Sequence, residues 1–187
     1  MGCALAEAAL ELGHEVHVVS GPVSITYPAA AQLVWVDTTS DMLGKVLELF
    51  PQMDGLIGAA APCDYMPVHV IPHKIAKSGE PLELKLIETP DVVASAAATK
   101  RRQQWVIGFA LETEDQRFRA TVKMQRKFCD LMVSNDPTAI NSNFNSVEIL
   151  GPSGGLLCSI QGTKTEVARA ILQTAERELI HRSFSID

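Results

Sequence analysis

The run Gly55-Leu-Ile-Gly-Ala-Ala60 and its continuation Ala61-Pro-Cys-Asp-Tyr-Met-Pro67 decide the fold reading. Six small and apolar residues in a row, bounded by a turn, read as a strand buried on both faces. Pro62, Pro67 and Pro72 then each remove a backbone donor and hold φ, so neither a helix nor a paired strand is expected through Ala61–Lys77. That segment reads as an ordered loop or an exposed flap. It carries Asp64, Lys74 and Lys77. Charges just past the carboxyl end of a buried strand lie where open α/β sheets place their ligands.

Working outward, strands and helices alternate. Ala4–Leu12 carries a helical apolar stripe closed by Gly13, Val16–Val19 and Gln32–Val36 read as strands, and Ser40-Asp41 caps a helix through Phe50 that Pro51 stops. Beyond the flap, Leu82–Ile87 alternates as a half-exposed strand with no evident hairpin partner. Thr89-Pro90-Asp91 opens a helix through Lys100, where Lys100-Arg101-Arg102 suits the negative end of the helix dipole. Val106–Ala110 is a buried strand, Glu114–Phe128 a helix, and Leu131–Ser134 a strand running into Asn135-Asp136-Pro137. Asn145–Leu150 and Leu156–Gln161, joined by a Gly/Pro/Ser turn, form a hairpin before a helix over Lys164–His181. The expected fold is therefore α/β, a doubly wound, mostly parallel Rossmann-like sheet with a C-terminal β-hairpin and a flap strand, in a single domain over residues 1–187.

Bulk composition narrows the function. A chain of 187 residues with 47% hydrophobic content can bury its own core. A net charge of −6 argues against a general nucleic-acid or membrane-surface binder, and no apolar run approaches the ~18 residues of a membrane span, so a cytoplasmic protein is expected. Cys3, Cys63, Cys129 and Cys158 are scattered without a Cys-x-x-Cys pair, which fits reduced thiols, at least three of them small core residues. His69 and His73 lie four apart, a metal spacing only on a helix, and the prolines around them forbid a regular one; no metal site is expected.

The strand ends bring Gly58, Ala59 and Ala60 with Asp64, then Phe109, then Asn135-Asp136 to one rim of the sheet. Lys123 and Lys127, four apart on one helix face, repel one another by ~0.2–0.5 kcal/mol, which a polyanion would offset. Lys74 stands on a proline-stiffened flap. At the other end of the sequence, the first helix begins at Met1-Gly2 with no capping side chain. Sheets of this kind open with a strand and a phosphate-binding loop, so the simplest expectation is that the sequence begins inside a domain.

In order along the chain stand Gly58-Ala-Ala-Ala-Pro-Cys-Asp-Tyr65, Pro72-His-Lys-Ile-Ala-Lys77, Glu83-Leu-Lys-Leu-Ile-Glu-Thr-Pro-Asp-Val-Val93, Gly108-Phe-Ala-Leu-Glu-Thr113, Lys123-x-x-x-Lys127 and Asp130-Leu-Met-Val-Ser-Asn-Asp136. Together they resemble bacterial phosphopantothenoylcysteine synthetase, also called phosphopantothenate–cysteine ligase, from Met1 to about Asn145. The resemblance implies a homodimer that joins 4′-phosphopantothenate to L-cysteine through an acyl-cytidylate, using CTP with Mg²⁺, in coenzyme A biosynthesis. It implies nucleotide contacts from Gly58, Ala59, Ala60, Asp64, Lys74, Pro90, Asp91, Val92, Val93, Phe109, Lys123 and Lys127, with Lys74 set against phosphate as the catalytic lysine; Asn135 has no assigned role. An Asn donor for the second step is implied in a loop ahead of Met1. A phosphopantothenoylcysteine decarboxylase domain, with FMN, is implied only where the two are fused.

Two other readings compete with it. An NAD(P)-dependent reductase would share the fold, but no Gly-x-Gly-x-x-Gly follows a strand and Ser20 stands where an acid would hold the ribose hydroxyls. A fragment that only binds nucleotide, or is inactive, is the alternative that the first helix suggests.

Overall fold

The computed structural model describes residues 1–112, 114–135 and 144–180. Helix α1 (Gly2–Glu11) leads through a turn at Gly13, whose φ is +87°, into strand β1 (His17–Ser20), which pairs in parallel with β2 (Gln32–Trp35). Then come α2 (Thr39–Leu49), a 3-10 turn (Phe50–Gln52), β3 (Gly55–Gly58), β4 (Tyr65–Pro67), β5 (Leu86–Glu88) and α3 (Val92–Ala98). The remainder is β6 (Trp105–Leu111), α4 (Gln116–Arg126), β7 (Leu131–Asn135), β8 (Phe144–Leu150), β9 (Leu156–Thr163), α5 (Lys164–Ala175) and a π turn (Glu176–Ile180).

Five strands form the central sheet in the order β3-β6-β7-β8-β9. The first three are parallel, while β8 and β9 are antiparallel and make the expected C-terminal hairpin. The sheet is thus mixed, and the alternating residues of β6 and β7 fill two cores. On one face Ile107, Leu131 and Val133 pack with Ala4, Leu5, Ala8 and Ala9 of α1 and Val167, Ala168 and Ile171 of α5. On the other, Val106 and Met132 pack with Met42 and Val46 of α2, Ala96 of α3 and Ala120 and Met124 of α4. Helices on both faces account for the near-continuous apolar runs of the parallel strands. Among the described residues, no helix is long and apolar enough to cross a membrane.

Several local expectations need correction. The cap of α2 is Thr38, not Ser40: its Oγ1 accepts from the Asp41 amide at 3.0 Å, and the Asp41 carboxylate accepts from the Thr38 amide in return. Pro51 continues the backbone into the 3-10 turn, where an early position has no bonded amide to lose. Helix α3 starts after Asp91, which is its cap, and ends at Ala98, so Pro90 lies ahead of it and Lys100-Arg101-Arg102 beyond it. The Lys100 ammonium does not serve a helix dipole but donates to both Asp130 carboxylate oxygens at 2.7 Å and to the Phe128 carbonyl at 3.1 Å.

The flap holds the clearest surprise, because Tyr65–Pro67 does pair, antiparallel, with Leu86–Glu88. The Val68 amide donates to the Lys85 carbonyl and the Thr89 amide to the Asp64 carbonyl. Pairs in such a ladder alternate between bonded and non-bonded, which leaves Pro67 opposite Leu86 in a non-bonded pair where its missing donor costs nothing. The alternation at Leu82–Ile87 is realised as strand only from Leu86, and the partner that sequence could not identify is β4. Of the cysteines, Cys129 is buried, Cys3 and Cys158 are partly so and Cys63 is exposed. The expected strand-end residues Asp136 and Pro137, and the helix end at His181, lie outside the described residues.

Candidate functional site

One cavity of about 2150 Å³ opens at the carboxyl ends of the strands. Its walls bring together Gly58, Ala59, Ala60 and Asp64 from the end of β3, Pro90, Asp91, Val92 and Val93 at the start of α3, Phe109 on β6, and Lys123 and Lys127 on α4. Asn135 lines it as well. Lys74 does not: it lies exposed on the segment between β4 and β5, with no hydrogen-bond or ion-pair partner among the described residues.

The geometry follows from local chemistry. A Cβ on Gly58 would fall 2.4 Å from Cγ2 of Val93, so only glycine lets the start of α3 close onto the end of β3. Asp91 then ties two helices together. Its Oδ1 accepts from the Ala94 amide at 3.0 Å, capping α3, and its Oδ2 lies 3.0 Å from the Lys127 ammonium at the end of α4. Partial burial pushes the Asp91 carboxyl up, but the Ala94 amide, Lys127 and the Val93 amide outweigh it and hold the group below its ordinary value. Lys123 donates to Glu112, just past β6, at 3.2 Å. Each of the two lysines thus has a carboxylate partner, Glu112 for Lys123 and Asp91 for Lys127.

Sequence reasoning missed several residues in the same cavity. Glu112 and Arg119 line it, and so does Lys164 at the first position of α5. A cation at a helix N-terminus opposes the helix dipole, and that was the available signal for Lys164. Asn145 of β8 is buried and donates through Nδ2 to Asn135 Oδ1 at 3.1 Å; its own Oδ1 has no partner among the described residues. No group of three or more His, Cys, Asp or Glu gathers to hold a metal among the described residues. A strand-end rim with small residues, flanking helix termini and lysines suits an anionic ligand laid across the sheet edge.

Comparison with known proteins agrees with this geometry. The family described as DNA/pantothenate metabolism flavoprotein C-terminal domain matches residues 1–179. The coenzyme A biosynthesis bifunctional protein CoaBC of Vibrio parahaemolyticus is 32% identical over 186 residues, covering 96% of this chain and 46% of its own length. CoaBC of Escherichia coli (strain K12) is 40% identical over 149 residues, 78% of this chain and 37% of its own. The chain thus spans less than half the length of these curated relatives. The crystal structure of the C-terminal domain of CoaBC superimposes with a TM-score of 0.79 at 33% identity, over 96% of this chain and 82% of that one. With the family matching residues 1–179 and relatives above 30% identity over nearly the whole chain, the chain belongs to the DNA/pantothenate metabolism flavoprotein C-terminal domain family.

Proposed function

We propose that the cavity binds CTP and 4′-phosphopantothenate and that the domain joins the latter to L-cysteine, as the ligase part of coenzyme A biosynthesis. The observation that carries this reading is the gathering of Gly58–Ala60, Asp91, Phe109, Lys123 and Lys127 around one cavity at the strand ends, within a chain of this family. The pantothenate carboxylate is already ionised at neutral pH, so the first step needs alignment and charge neutralisation more than a base. A carboxylate oxygen bonds to the α-phosphorus of CTP and pyrophosphate leaves. The amine of cysteine then attacks the acyl carbon, CMP departs, and the amine proton passes to solvent.

In this reading Gly58–Ala60 approach the nucleotide through backbone, Phe109 packs beside it, and Asp64 makes an acidic contact. Lys123 and Lys127 exchange Glu112 and Asp91 for phosphate oxygens. Lys74 reaches the reacting phosphate from the β4–β5 flap when ligand is bound. Mg²⁺ held on the nucleotide phosphates, its usual binding mode, would supply further charge neutralisation beside Lys123 and Lys127. FMN belongs to a decarboxylase domain, if one is fused.

Calorimetric titration with CTP, ATP and NADPH, paired with pyrophosphate release in the presence of phosphopantothenate and cysteine, tests the proposal. CTP should bind best and release should need phosphopantothenate. Preference for NADPH would support a reductase, and CTP binding without pyrophosphate release would support a nucleotide-binding fragment.

A further inference from the structure

The cavity at the strand ends straddles the sheet, and its two sides differ in how their charges are met. Lys123 and Lys127 belong to α4, which packs on the α2/α3 side, and each has its carboxylate, as Arg119 has Glu114. The opposite side lies under α1 and α5. There Leu131 and Val133 of β7, and Val147 and Ile149 of β8, pack into the core of that face. Side chains alternate along a strand, so Asn135 and Asn145, two residues from Val133 and Val147, stand on the same face at the rim. Both line the cavity.

Lys164 joins them. Strands β8 and β9 pair so that Asn145 lies opposite Gly162, two residues ahead of Lys164 at the start of α5. Lys164 lines the cavity, half-buried, and has no hydrogen-bond or ion-pair partner among the described residues. Glu166, its nearest acid in the chain, is committed to the capping box, where Oε2 accepts from the Thr163 amide at 2.7 Å and from the Thr163 hydroxyl at 2.8 Å. Arg126 also lines the cavity without a partner, but it is exposed at the carboxyl end of α4, where the helix dipole favours a cation. At the first position of α5 the dipole opposes one. A second unmet group stands beside it: Asn145 is only 8% exposed, donates through Nδ2 to Asn135, and leaves its own Oδ1 without a donor. A buried acceptor left bare is costly, and so is a partly desolvated cation without a counter-charge.

We propose that Asn145 Oδ1 and the Lys164 ammonium together recognise the amine and the carboxylate of a free α-amino acid. One ligand has to give an N–H to a buried carbonyl and a negative charge to a nearby ammonium. CTP and 4′-phosphopantothenate are anions without an ammonium, whereas an α-amino acid carries both groups on one carbon. Its identity as L-cysteine rests on the ligase reading; the pairing of an orphaned acceptor with an unpaired cation does not. The arrangement also suits aminolysis. The bound ammonium first gives one proton to solvent. The neutral amine then donates an N–H to Asn145 Oδ1, which leaves its lone pair free for the acyl carbon. The C–N bond forms, the bond from that carbon to the CMP oxygen breaks, and the second amine proton passes to solvent.

Titration with L-cysteine, followed by nitrogen-15 NMR at the Asn145 side-chain amide and the Lys164 backbone amide, tests this without turnover. Both signals should move along one binding curve. Cysteamine, which lacks the carboxylate, and 3-mercaptopropionate, which lacks the amine, should each bind ~10-fold or more weakly, the scale of one lost charge-assisted hydrogen bond. Lys164→Gln should weaken L-cysteine by a similar ~10-fold factor while changing the affinities for CTP and phosphopantothenate by no more than ~2-fold, and Lys164→Arg should keep most of the L-cysteine affinity. Unmoved signals, or 3-mercaptopropionate binding as tightly as L-cysteine, would overturn the proposal. So would a Lys164→Gln variant that loses CTP or phosphopantothenate as much as L-cysteine, because Lys164 would then serve a phosphate. Pyrophosphate release from CTP and phosphopantothenate without cysteine reports on the ligase reading separately. A parent chain that releases none, yet binds L-cysteine at both residues, would remove that reading and support this one.

Discussion

At the residue scale, Asp91 and Asp130 show how one carboxylate can serve two elements. Asp130 accepts from Lys100 and also from the Val106 amide at 2.7 Å, joining the residue ahead of β7 to the start of β6 and to the segment after α3. Asp130→Ala would leave that amide unpaired and the half-buried Lys100 ammonium with only the Phe128 carbonyl, a loss of about 2–3 kcal/mol that chemical denaturation would register; a change below 0.5 kcal/mol contradicts the assignment. Asp91 has a lowered pKa, so its contribution to stability is present above its ordinary value near 3.8 and is lost as pH falls through the folded value. A carbon-13 titration should place its midpoint below that of an unperturbed Asp, and Lys127→Gln should move it upward. A midpoint at or above the ordinary value would show that burial prevails. Lys74→Gln, under the proposed ligase reading, should lower turnover by ~10² or more, the scale for one lost charge contact to a transition state. A variant as fast as its parent would remove Lys74 from the site.

At the element scale, α4 ends with Phe128 at a φ of +54°, after the C-cap Lys127. The Cys129 amide donates to the Met124 carbonyl and the Phe128 amide to the Gln125 carbonyl, so the left-handed residue closes the helix. A left-handed conformation costs an L-residue ~1–2 kcal/mol that glycine avoids, and Phe128 is largely exposed. Phe128→Gly should therefore stabilise the fold by up to ~1 kcal/mol after the extra freedom of unfolded glycine is subtracted. A fall in melting temperature would show that the exposed ring makes contacts worth more than the strain. The hairpin and the parallel strands were legible because their apolar periods are uninterrupted. The cap of α3 was not, since Pro90-Asp91 suits either a first turn or the residues ahead of it, and only the bond from Ala94 decides.

At the scale of the whole molecule, the flap stands apart from both cores. Val70 is 83% exposed, Leu84 64% and Leu82 63%. A two-stranded ribbon is marginal alone, and apolar side chains concentrated on one segment mark an interaction surface. Although β5 has its partner in β4, each strand keeps a free outer edge. We expect a homodimer through this ribbon, with sedimentation at micromolar concentration giving twice the mass of one chain; a monomer there would reject it. Leu84→Asp, which charges the proposed contact, should shift the equilibrium to monomer while leaving the central sheet intact.

By itself the sequence determined the class of fold, because helix and strand periods, glycine turns and prolines are local properties. It also brought Gly58–Ala60, Asp64 and Phe109 to the wall of the cavity, because parallel strands deliver their carboxyl ends to one rim whatever their order. Tertiary structure alone decided what those residues do to one another. The pairing of Tyr65–Pro67 with Leu86–Glu88, the ion pairs Asp91–Lys127 and Glu112–Lys123, and Lys100 on Asp130 all join positions far apart in the chain. Lys74 also shows the limit: a residue on a flap has its neighbours set by what the flap packs against. Charge and periodicity name the candidates, but partnership depends on distance in space, and that exists only once the two helix layers have closed over the sheet.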